Sequence, residues 1–149
     1  MNARPSPEPF DVLKAEACIR RENTLAVVSC RTFDDVATRL EACIASSPFA
    51  LVSVHDFGRM FRGTDFELGH RSRVYELCDA VSAAQLLSMD PSLGHTLPYR
   101  IAMHDHGGVV TVSTPMPTVI VAQFSRTAAV DRIAGAVQTD LQHLLSGVV

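Results

Sequence analysis

At 149 residues, 47% of them apolar, the chain is long enough for one domain with its own core and needs no disulfide or metal staple. Its formal charge of −3 comes with no block of lysine or arginine, which argues against nucleic acid as a partner. The uninterrupted apolar runs fall short of the roughly 18 residues that span a bilayer, so no membrane association is expected either.

The opening residues lack a basic segment followed by an apolar stretch, so a cytoplasmic, bacterial-type domain without a signal peptide is expected. Cys18, Cys30, Cys43 and Cys78 form no Cys-x-x-Cys pair. Reduced thiols packed as small hydrophobes follow.

Residues 1–23 read as an N-terminal extension, proline-rich at first and then a short helix over Phe10 to Arg20. Residues 24–149 read as the single domain. Thr24 to Cys30 is a first strand. Thr32 with Asp35 three residues on is a helix-capping pattern, and Phe33, Val36, Ala37, Leu40, Cys43 and Ile44 follow at helical spacing. Ser46-Ser47-Pro48 stops that helix, and Phe49 to His55 is a second strand. Between Asp56 and His70, three glycines and the apolar Phe57, Met60, Phe61 and Phe66 predict a loop folded over a core or lining a pocket.

Arg73 to Cys78 is a third strand, and Ser82 to Ser88 a short helix. Tyr99 to His104 is a strand with Ile101 and Met103 on one face and Arg100, Ala102 and His104 on the other. Asp105-His106-Gly107-Gly108 supplies a tight turn, and Val109 to Thr114 completes the hairpin. Thr118 to Phe124 fits a strand or a helical turn equally. From about Thr127 to Leu145 a helix is expected, its apolar stripe formed by Val130, Ile133, Ala134, Val137, Leu141, Leu144 and Leu145. Asp131, Gln138 and Gln142 fall on its far face.

The run from Gly63 to Pro117 carries a family likeness. A strand ending in Cys78, an alanine-rich helix, the Asp90-Pro91 step, Leu97-Pro98 followed by Arg100-Ile101, and a hairpin with Gly107-Gly108 together resemble the domain of unknown function 302 family. The resemblance reaches from roughly Leu25 to Leu145. It implies an α+β fold, an antiparallel sheet backed by helices in β-α-β(4)-α order, like the saddle of TATA-binding proteins, and it implies a homodimer. It brings no settled activity. Many members read Leu-Pro-Cys-Arg where this chain has Tyr99 before Arg100, so a second thiol beside Cys78 is missing here.

Candidate chemistry is sparse. Cys78 stands at a strand end before a helix start, where a thiolate or a soft ligand for haem iron or copper could sit, or a buried structural cysteine. Arg100 could hold an anion or pair with Glu76 or Glu67. His104 and His106, two apart, could point to one face and chelate a metal, or simply solvate the turn. Met60, Phe61, Phe66 and Met103 could line an apolar pocket or fill a core. No catalytic triad, paired acid–base carboxylates or phosphate loop can be read, and no catalytic residue is assigned. The expectation is therefore a non-catalytic small-molecule or cofactor-binding module with a groove beside the sheet. Its ligand residues would be Cys78, Tyr99, Arg100, Met60, Phe61 and Met103, with His104 and His106 as metal ligands. The alternatives are a haem- or metal-binding protein or thiol-dependent enzyme using Cys78 and nearby histidines, and a structural or regulatory partner protein.

Overall fold

Alternation along each strand decides which side chains reach the core. In the computed structural model, which describes residues 19–149, Leu25 and Val27 of β2 (Thr24–Ser29) are buried while Thr24, Ala26 and Val28 stay half-buried. The same period runs through β5 (Tyr99–His106) and β6 (Val109–Pro115), and along β4 (Ser72–Cys78) from Val74 on. With β1 (Ile19–Arg20) and β3 (Ala50–Asp56) at the edges, these strands form one antiparallel sheet in the order β1-β2-β6-β5-β4-β3. Five are long strands, and β1 is a two-residue edge.

That edge corrects the expected start of the domain. Ile19 and Arg20, placed at the end of a helix by the sequence, instead pair with Ala26 and Leu25. The open edge of β2 offers backbone partners that a frayed last turn of helix lacks. The rest of that expected helix lies outside the described residues.

Two helices cover one face of the sheet. Thr32 caps α1 (Phe33–Ala45) by accepting from the Asp35 N–H at 3.2 Å, and Phe33, Val36, Leu40 and Ile44 turn inward. Thr127 caps α5 (Ala128–Ser146) in the same way through the Val130 N–H, at 3.3 Å. Their apolar stripes meet Tyr75, Leu77, Ile101, Met103 and Val112 from the sheet, and this contact is the main core. A second cluster joins α3 (Ala80–Met89), the 3-10 turn Pro91–Thr96 and α4 (Pro117–Val121) to the first half of α5 through Leu86, Leu93, Val121, Val130 and Ala134.

Where the sequence was ambiguous, at Thr118 onward, the chain is helical. Pro117 occupies the first turn of α4, where its missing N–H costs nothing and its fixed φ fits. Strand β5 runs past His104 to His106, and the turn shrinks to Gly107 and Gly108 with φ of 59° and 80°. A type I′ hairpin needs positive φ at both positions. In the Asp56–His70 stretch, a single helical turn, α2 (Phe57–Met60), is capped by Asp56, which accepts from the Arg59 N–H at 2.9 Å. Phe66 beyond it is 76% exposed, so this segment does not close over the core; it takes the other expected role and lines a pocket, through Gly58, Arg59, Arg62, Glu67 and Leu68 rather than its phenylalanines. Among the described residues no helix is long and apolar enough to cross a membrane.

Candidate functional site

Cys78 ends β4 half-buried, with a free thiol. Asp79 follows it and caps α3, accepting from the Val81 N–H at 3.2 Å and the Ser82 N–H at 3.3 Å. The N–H donors that could stabilise a thiolate at the helix start are thus engaged by a carboxylate. Tyr99, two positions after Leu97, is only 6% exposed and packs edge-on against Phe49 with 6.1 Å between ring centroids. Its hydroxyl has no hydrogen-bond partner among the described residues. Burial pushes this phenol up; the nearby Ser82 hydroxyl opposes the shift, and Asp79 and Cys78 add to it. That Ser82 hydroxyl donates to the Asp79 carbonyl at 3.2 Å and completes no hydrogen bond with the phenol.

Arg100 lies on the opposite face of β5, as alternation requires. It is opposite Glu76 in the ladder, and its Nε donates to Glu76 Oε1 at 3.2 Å. The other Glu76 oxygen lies 3.3 Å from His55 Nε2. These bonds, His55 first and then Arg100, hold the Glu76 carboxyl below its ordinary range. Of the two roles open to Arg100, the structure shows the ion pair.

His104 and His106 both remain in strand β5 and so share a face, with His104 half-buried and His106 exposed. Burial lowers the pKa of His104, and the neighbouring His70 and His106 lower it further, against an opposing pull from Asp105. Among the described residues no group of three or more His, Cys, Asp or Glu is placed to hold a metal ion.

The six expected ligand residues do not converge on one groove. Met103 is fully buried in the main core, Tyr99 is buried near α3, and Arg100 is on the other face. Met60 is 55% exposed beside the edge strand, and Phe61 stacks loosely on Phe57 at 5.9 Å. A strand with alternate faces cannot bring Met103 and Arg100 to the same surface.

A different set of residues does converge. The turn after β1, the start of α4 and the middle of α5 enclose an open groove of about 650 Å³, lined by Arg20, Arg21, Met116, Thr118, Gly135 and Gln138 among others. That volume lies within the range of ordinary ligand sites. Gln138, expected on the solvent face of its helix, is only 5% exposed. Its Oε1 accepts from the Thr118 N–H at 3.3 Å and the Thr118 hydroxyl at 2.6 Å. A backbone N–H can only donate, so the atom facing it is the oxygen. Both amide N–H donors of Gln138 are left without a partner among the described residues, on a side chain that lines the groove. The signal was present in the spacing: Gln138 is four residues from Ala134 and three from Leu141, both in the apolar stripe. Gly135 sits beside it in mid-helix, and a Cβ there would meet nothing within 4 Å.

The fold and this groove define a small α+β domain with an antiparallel sheet and helices over one face. Residues 25–148 match the family described as "Domain of unknown function DUF302", and the chain belongs to that family. Among solved structures it is similar to an uncharacterised conserved DUF302 protein from Bacillus stearothermophilus. That structure has a TM-score of 0.80 at 18% identity, over 87% of this chain and 100% of the other. At this identity the likeness extends to the fold alone. No curated protein matches the chain.

Proposed function

We propose that this domain is a non-catalytic small-molecule-binding module whose ligand lies in the groove between α5 and the turn after β1. One observation carries the reading: a groove of about 650 Å³ with the Gln138 amide at its wall, its oxygen fixed by Thr118 and its N–H side left for water or an occupant. Gly135 supports it, because glycine in a helix interior costs about 1 kcal/mol relative to alanine and, among the described residues, no packing contact requires it. Ligand-observed NMR with a fragment library should find compounds that bind the wild-type chain and not Gly135→Leu, whose side chain would fill the groove. A library with no such compound would remove the reading.

A second reading concerns assembly: the domain forms a homodimer through β3. This edge strand leaves Leu51, Val52 and Val54 at 43%, 58% and 42% exposed, and it carries no lysine to repel a partner strand. Val52 stands at an irregularity between Leu51 and Ser53, so the contact would be made by the exposed side chains of Leu51, Val52 and Val54 as an apolar edge patch covered by a second copy. Light scattering at tens of micromolar should give twice the chain mass, falling to the monomer in Val52→Lys. A wild-type monomer at that concentration would dismiss the dimer.

A further inference from the structure

We infer that Phe66 anchors the homodimer, seated in each copy on the uncharged turn 46–50 of the other. This rests on the dimer through β3 and adds the contact that makes such a dimer large enough. At their measured exposures Leu51, Val52 and Val54 offer about 250 Å² per copy, against the roughly 450 Å² of apolar area that each partner buries in an interface of standard size. The edge alone falls short. Phe66 is the most exposed large apolar side chain among the described residues, and its bare surface adds about 180 Å², which closes most of the gap.

The ring is held outward by the turns around it. The Thr64 hydroxyl accepts from the Phe66 N–H at 3.2 Å and donates to the Phe61 carbonyl at 2.7 Å. The N–H groups of Phe61, Thr64 and Glu67 bond back to the carbonyls of Phe57, Phe61 and Thr64. These turns keep the segment short. Glu67 lines one pocket with Asp56, the last residue of β3, so Phe66 stands beside the end of the edge strand. A side chain already ordered in a compact turn loses less entropy on docking, and aromatic anchors carry much of the binding energy at interfaces.

Symmetry says what the ring meets. A two-fold axis normal to the sheet runs the two β3 strands in opposite directions, so the segment after the end of one lies beside the start of the other. Around that start no residue from Ala42 to Val54 carries a charge, and Ser46, Pro48 and Ala50 are exposed. An apolar ring settles there without desolvating an ion. Charge favours a second copy over a foreign partner. Arg59, Arg62, Asp65 and Glu67 flank Phe66 in sequence, two of each sign, and none has an ion pair or side-chain hydrogen bond among the described residues. A rim with no excess of either sign meets its own copy without net repulsion and has no field to steer a strongly acidic or basic partner.

Sedimentation equilibrium of the full chain reads the dimer dissociation constant. Phe66→Ser should raise it about a hundredfold, tenfold for each ring, because a two-fold contact loses the side chain twice. Pro48→Glu, which puts a charge under the ring, should weaken the dimer at least tenfold. Met89→Ser is the control: its side chain is also exposed, at the far end of α3, and the constant should stay within twofold of wild type. Circular dichroism checks that each variant is folded.

Phe66→Ser within twofold of wild type, or Met89→Ser losing as much as Phe66→Ser, would overturn the anchor while leaving the β3 dimer standing if Val52→Lys still dissociates. A folded Pro48→Glu that dimerises as wild type does would overturn the placement of the ring. A monomeric wild type would overturn the dimer and the anchor together and leave the patch to a foreign protein.

Discussion

Met103→Ala is expected to lower folding stability by about 2–5 kcal/mol, the range for truncating a fully buried methionine. Met103 is 0% exposed, at the centre of β5, opposite Arg73 on one neighbouring strand and Val112 on the other. Its side chain belongs to the core between the sheet and the covering helices, so truncation leaves a void that close-packed neighbours fill only in part. The same change at Met60, which is 55% exposed, should stay within about 0.5 kcal/mol. Urea unfolding of the two variants separates a core methionine from an exposed one. A loss below about 0.5 kcal/mol at position 103 would place that side chain at a deformable surface and restore it as a ligand contact.

The contrast between these methionines also shows what could be read from the chain alone. Local signals were legible: the Thr32 cap, the period of α1 and α5, the alternation in β5 and the glycine pair of the hairpin each arise from contacts a few residues apart. Sidedness beyond one element was not. The alternation of β5 puts Met103 and Arg100 on opposite faces, but which face the helices cover depends on α1 and α5 returning to the same side. Met103 was therefore open to a pocket role until that side was known.

Gln138 failed for a related reason. Polarity alone sent it to the solvent face of α5, although its spacing from Ala134 and Leu141 put it on the buried stripe. Only the arrival of Thr118 from α4, twenty positions earlier in the chain, supplies the donors that make its burial tolerable. The groove follows from that contact and from β1, a strand that exists because β2 leaves an edge open. Neither partner is adjacent in sequence.

Tyr99→Phe is expected to stabilise the protein by about 1 kcal/mol, the lower end of the penalty for a buried hydroxyl left without a partner. The side chain is 6% exposed and its oxygen finds no hydrogen bond among the described residues, so folding removes it from water without compensation. Phenylalanine keeps the ring and its edge-on contact with Phe49 at 6.1 Å, and gives up only the oxygen. The small void left behind sets the gain at the low end of the range. Chemical denaturation of the two proteins measures the difference directly. The sign is what matters. A loss of 1 kcal/mol or more in place of a gain would mean that the phenol is satisfied in solution, by a buried water or a bound molecule near Ser82 and Asp79. Tyr99 would then regain its expected ligand role, and the Cys78 end of β4 would rival the Gln138 groove as the binding site.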